Sequence, residues 1–156
     1  MQTKTKLVIA VFAALFLAYA GPAGAAGDDP EEAAEEKYRD AVVAVKNLKY
    51  RRAIGLLQDV LEEDSRNADA LNYMGYSHRK LGQIKPALTY YRRALNVEPD
   101  HKGANEYIGE AYLELKQFGK ARIHLDRLAR ICGPSCEEYQ DLKKAFVTFL
   151  ASEKQS

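Results

Sequence analysis

Two cysteines and three histidines are the residues of this chain best equipped for chemistry. Cys132 and Cys136 bracket Gly133-Pro134-Ser135, a C-x3-C spacing. Two thiols this close suit a disulfide in an oxidising compartment. So small a loop would add only ~2 kcal/mol on a chain-entropy estimate, so its chief effect would be to fix the angle of the helix that follows. A redox pair is a second reading, because Cys136 at a helix N-terminus would have a lowered thiol pKa. Against it, the spacing is not C-x2-C and no βαβ pattern surrounds it. Metal binding is weaker still, since two thiols without paired histidines make an incomplete ligand set. His78, His101 and His124 recur at an even spacing, but no serine or cysteine nucleophile has a base placed by motif. No glycine-rich loop follows a strand, and no strand pattern exists at all. An enzyme is not expected, and neither a cofactor nor a metal is called for.

The 156 residues suffice for one domain. Lys and Arg number 23 against 22 Asp and Glu, for a net charge of +1. That balance gives no electrostatic case for nucleic acid or an anionic membrane surface. The segment 1–25 reads as a cleaved signal peptide. Lys4 and Lys6 form its basic region, and Leu7 to Ala20 its apolar run. Gly21-Pro22 breaks the run, and small residues follow up to Ala26. The run is shorter than the ~20 residues that span a bilayer, and an uncleaved anchor in the inner membrane is the alternative. Cleavage after Ala25 removes Lys4 and Lys6, which leaves the mature chain close to neutral. The simplest destination is a Gram-negative periplasm.

Residues 26–33 read as a linker turning into a helix, with Asp29 at the N-cap, Pro30 at the first helical position and Glu32 completing a capping box. The stretch that organises the rest is Ala68 to Pro99. It holds two short amphipathic helices joined at Leu81-Gly82-Gln83, with Gly75, Ala87 and Ala94 where the helices must approach closely. Leu71, Met74-Gly75, His78, Ala87, Tyr91, Ala94 and Pro99 occupy the slots of a known pattern: apolar, Leu-Gly, Tyr, Ala, aromatic, Ala, Pro. The stretch resembles a tetratricopeptide repeat (TPR).

A shift by one repeat length in either direction generates two more units. The array then divides into 34–67, 68–101 and 102–134, with Asp100 as the candidate N-cap for the third unit. Position 8 of each unit is Ala41, Gly75 and Gly109, and position 20 is Ala53, Ala87 and Ala121. Small residues in all six slots let backbones pack at short range. The three histidines do not follow this period and so fall in different slots. At the C-terminus, 135–152 form a further amphipathic helix with Tyr139, Leu142 and Phe146 on one face, opened by a Ser135–Glu138 capping box; 153–156 are a frayed tail. The resemblance implies an all-α chain, a right-handed α-solenoid of three helix pairs closed by a capping helix.

The resemblance also implies a site. In TPR proteins the first helix of each pair lines a concave face. Carried onto this chain, the lining comprises Tyr38, Val42 and Val45, then Asn72, Tyr76 and Arg79, then Glu106, Glu110 and Leu113, with Gln140 and Lys144 from the capping helix. Tyrosine, arginine and amide groups of this kind serve protein recognition. The family's grip on a C-terminal carboxylate needs a lysine and an asparagine on the first helix, where this chain has Tyr38 and Val42. Glu106 and Glu110 would also repel a carboxylate. The expected function is a non-catalytic adaptor of the periplasm or cell envelope, binding a basic or mixed-charge partner segment in its groove. Joint replacement of Tyr76 and Arg79 by alanine should abolish that binding and leave helicity intact. Two other roles compete: a self-assembling structural component, and a thiol-disulfide helper acting through Cys136.

Overall fold

The computed structural model describes residues 30–153. The leader, its cleavage site and the Asp29 cap lie outside the described residues. Among these there are seven helices and no strand: α1 (Pro30–Lys46), α2 (Tyr50–Glu63), α3 (Ala68–Lys80), α4 (Ile84–Val97), α5 (Lys102–Glu114), α6 (Phe118–Ile131) and α7 (Glu137–Glu153). Each of α1, α3 and α5 packs on the even helix that follows it. α2 then meets α3, α4 meets α5, and α7 lies against both α5 and α6. The chain is an α-solenoid of three TPR helix pairs with α7 as its cap.

The small slots work as close-approach points. Ala41, Ala53, Ala87, Ala94 and Ala121 are all fully buried. A Cβ placed on Gly75 would sit 2.6 Å from the Tyr91 ring, so this glycine lets α3 settle on α4 of the same pair. Gly109 differs. A Cβ there would meet the Leu142 side chain at 2.6 Å, so the third glycine receives the capping helix. Leu142, fully buried, is the plug that closes the third pair.

The turns repeat as strictly as the helices. Leu48, Gly82 and Lys116, each one repeat on from the last, all have positive φ, at 58°, 75° and 57°. Glycine takes this conformation without cost, whereas a side chain is strained there. The corners between pairs also share a slot. The Asn67 side chain accepts from the Ala70 amide at 2.9 Å, and the His101 Nδ1 accepts from the Ala104 amide at 3.1 Å. His101 therefore caps α5 in place of Asp100. The residue one position later has the geometry to reach the third amide of the helix. α7 likewise opens at Glu137, so Cys136 stands at its N-cap position and the Ser135–Glu138 box is displaced. Gly133, with φ of 81°, provides the left-handed residue that ends α6.

Candidate partner-binding face

The side chains expected on the concave face are brought together on α1, α3, α5 and α7, but they divide into three groups. A first group remains available at the surface. Tyr38 and Tyr76 are half-buried, and each takes part in a separate group of aromatic contacts. Tyr38 meets Tyr73 edge-on at 6.2 Å between centroids. Tyr76 meets Tyr50 at 6.2 Å and Tyr107 at 4.9 Å, and Tyr107 meets Tyr91 at 6.3 Å. Burial raises the phenol pKa of Tyr38, Tyr76 and Tyr107, with nearby carboxylates adding to the rise. They stay neutral at physiological pH. Tyr73 and Tyr107 escaped the sequence reading, although they fill the same slot of successive repeats. That recurrence was the available signal.

A second group holds the repeats together. Arg79 is 8% exposed. Its guanidinium donates to Glu114 Oε1 at 2.7 Å and to Glu110 Oε2, so it bolts α3 to α5. It also lies 5.7 Å from the Tyr76 centroid and 5.9 Å from that of Tyr107, within reach of a cation–π attraction. Burial works against the charge, but Tyr91, Glu110 and Glu114 outweigh it and hold the guanidinium protonated. Asn72, 4% exposed, is equally enclosed. Leu113 is fully buried and Val45 nearly so. These two are core residues, not groove residues, because helix rotation turns their slots toward the even helices. Replacing Arg79 by alanine would also remove the pairs that join α3 to α5, so the double variant would lose stability as well as groove chemistry.

The third group lies where α5 faces α7. Glu106, Glu110, Asp141, Lys144, Ala145, Thr148 and Phe149 line a pocket of about 300 Å³. Glu106 is 8% exposed. Burial pushes its carboxyl up to about 8, helped by the charges of Glu110, Asp141 and Glu138, with only Arg79 opposing. Gln140 is elsewhere: its side-chain amide donates to the Pro134 carbonyl at the start of α7.

The histidines are structural. His78 is bonded through Nδ1 to Gln83 Oε1 at 2.6 Å and stacks on Tyr90. His101 caps α5 and reaches Asp69 at 3.0 Å through Nε2. His124 is bonded through Nδ1 to Asn105 Oδ1 at 3.0 Å, while burial and Arg127 lower its pKa to about 4. Asn105 in turn donates to the Pro99 and His101 carbonyls, which fixes the corner before α5. The Cys132 and Cys136 sulfurs stand at bonding distance, 2.01 Å, with Cα atoms 5.8 Å apart. The Glu138 carboxylate is close by but is engaged with Lys102 at 3.4 Å. No helix among the described residues is long and apolar enough to cross a membrane.

Helix pairs of this length, small residues at matched slots and a tyrosine-lined inner face define a tetratricopeptide-type solenoid. Residues 34–128 match the family model described as "Anaphase-promoting complex, cyclosome, subunit 3", and the chain belongs to that family of helical repeats. It is 28% identical over 76 residues to the protein O-mannosyl-transferase Tmtc3 of Drosophila melanogaster, a match covering 49% of this chain and 8% of that protein. Two solved structures share its fold. The first TPR of Spaghetti (RPAP3), bound to the HSP90 peptide SRMEEVD, superposes with a TM-score of 0.69 at 18% identity, covering 79% of this chain and 96% of that one. The second TPR domain of human RPAP3, in complex with the HSP70 peptide SGPTIEEVD, gives 0.66 at 19% identity over 75% and 98%.

Proposed function

We propose that the chain is a non-catalytic adaptor that holds a segment of a partner protein along the concave face formed by α1, α3, α5 and α7. The observation that carries this reading is the set of tyrosines on the odd helices, paired as Tyr38–Tyr73 between the first and second repeats and Tyr76–Tyr107 between the second and third. Half-buried tyrosines with polar ends are suited to gripping a peptide, since each offers a large rigid face at little cost in lost motion. The two RPAP3 domains hold peptides ending in EEVD. This chain's ligand has a different chemistry, because Tyr38 and Val42 stand where a carboxylate grip needs a lysine and an asparagine, and the face is acidic beyond them. A basic or mixed-charge segment is the complementary partner.

The setting is the periplasm, reached through a leader removed after Ala25. There the Cys132–Cys136 bond closes and holds α7 at its angle to α6. The oxidised mature chain should then weigh two hydrogen atoms less than the reduced one; free thiols on both cysteines of protein taken from that compartment would remove this part of the reading.

The adaptor role is tested by placing a photo-crosslinking amino acid in living cells at Tyr76 or Asp141 on the concave side, and at Gln58 or Ile123 on the outer helices. Discrete adducts from the concave positions alone are expected. Adducts confined to the outer positions would contradict the reading.

A further inference from the structure

We propose that the pocket between α5 and α7 receives one cationic side chain of the partner segment, a lysine or an arginine, with the Glu106 carboxylate as its counter-ion. The inference rests on the adaptor reading and specifies the partner's chemistry at one point.

Glu106 is enclosed, and among the described residues its carboxylate has neither a hydrogen bond nor an ion pair. A carboxylate withdrawn from water without a partner is costly, so it is either protonated or met by a cation. Among the described residues, two of the three nearby cations are committed elsewhere, and none is paired with Glu106. Arg79, on α3, spends its two terminal nitrogens on Glu110 and Glu114. Lys102, at the start of α5, is paired with Glu138 of α7. Lys144 lines the rim from α7 without an ion pair among the described residues, and Asp141 beside it adds a third carboxylate to Glu106 and Glu110. Of the charges facing Glu106, Glu110 is paired with Arg79 and Glu138 with Lys102. Asp141 and Lys144 face it from α7, and none of the cations is paired with Glu106 itself. The remaining walls, Ala145 and Phe149, are apolar. A long cationic side chain has the matching parts, a stem that lies on apolar surface and a charged head. The volume of about 300 Å³ gives it room.

The test is a heteronuclear NMR titration of the full chain with the peptide acetyl-Gly-Tyr-Gly-Lys-Gly-Tyr-Gly-amide and its counterpart carrying glutamate in place of lysine. The lysine peptide should shift amides around Glu106 and Asp141, and the glutamate peptide should not. Its affinity should rise with pH toward and past about 8, because binding requires the deprotonated carboxyl. Below that value it should fall by up to about tenfold per pH unit. Glu106→Gln, which keeps shape and removes the charge, should weaken binding by about tenfold or more and flatten the pH dependence. Asp141→Lys, at an exposed site, should weaken it too. Equal binding by the Glu106→Gln variant, a flat pH profile in the native chain, or no shift at α5 and α7 would overturn the pocket. If concave crosslinks still form in cells, the adaptor reading survives and only the cation pocket falls. If crosslinks are absent while the lysine peptide binds through Glu106, the pocket stands and the adaptor reading falls.

Discussion

Arg79 and Glu106 sit on neighbouring helices of one face and have opposite fates. Arg79 is matched twice over, so its burial is tolerated. Removing one member of a buried ion pair leaves the other uncompensated and typically costs ~3–5 kcal/mol. Arg79→Ala should therefore lower stability by at least about 2 kcal/mol in urea denaturation, the partial exposure of Glu110 and Glu114 reducing the full value. An unchanged midpoint would show that the bolt between α3 and α5 carries no weight. Glu106 is unmatched, and its folded carboxyl is raised from 4.5 to about 8. Folding therefore favours the protonated form, and the stabilisation present below about 4.5 is lost as pH rises through about 8. Stability should decline across that window in the native chain, and Glu106→Gln should remove the decline and leave the variant the more stable at alkaline pH. Denaturation midpoints measured across the window decide it. The sequence alone could list Arg79, Glu106 and Leu113 as facing inward together. It could not show that one is a bolt, one a lone carboxyl and one core, because the rotation of each helix about its axis is set by its neighbours.

At the level of elements, the repeat period was legible because close packing and turn geometry leave little choice. Alanine and glycine mark each approach point, and the turn slot recurs with them. Here two substitutions should act in opposite directions. Gly75→Ala gains up to ~1 kcal/mol of helix propensity but drives a methyl to 2.6 Å from the Tyr91 ring. Overpacking of that kind costs ~1–3 kcal/mol, so a net loss in thermal stability is expected. Leu48→Gly relieves a left-handed backbone at a residue that is 71% exposed and has little packing to lose. It should raise stability by about 0.5–1 kcal/mol. A melting temperature that falls for Leu48→Gly, or rises for Gly75→Ala, would refute the respective account. The caps were harder to read. Asp100 and His101 are adjacent and both able to accept from an amide, and only the path of the corner selects His101. Tyr73 and Tyr107 were missed for a similar reason, since two copies one repeat apart do not announce which face they share until the helices are packed.

Over the whole molecule, a net charge of +1 conceals a sorted surface. The concave side gathers Glu106, Glu110, Glu114 and Asp141 around the tyrosines, with Arg79 and Lys102 engaged in ion pairs and Lys144 at the rim of the pocket. Composition gave no case for nucleic acid as a partner but could not reveal this separation, which arises only when the solenoid brings α5 and α7 together. The central claim is that a partner lies along the inner face of the solenoid. Hydrogen–deuterium exchange on the chain co-purified with its crosslinked partner tests it most directly. Slowed exchange concentrated in α3, α5 and α7, with α2, α4 and α6 unchanged relative to the free chain, is the predicted result. Slowed exchange concentrated in α2, α4 and α6 would contradict it.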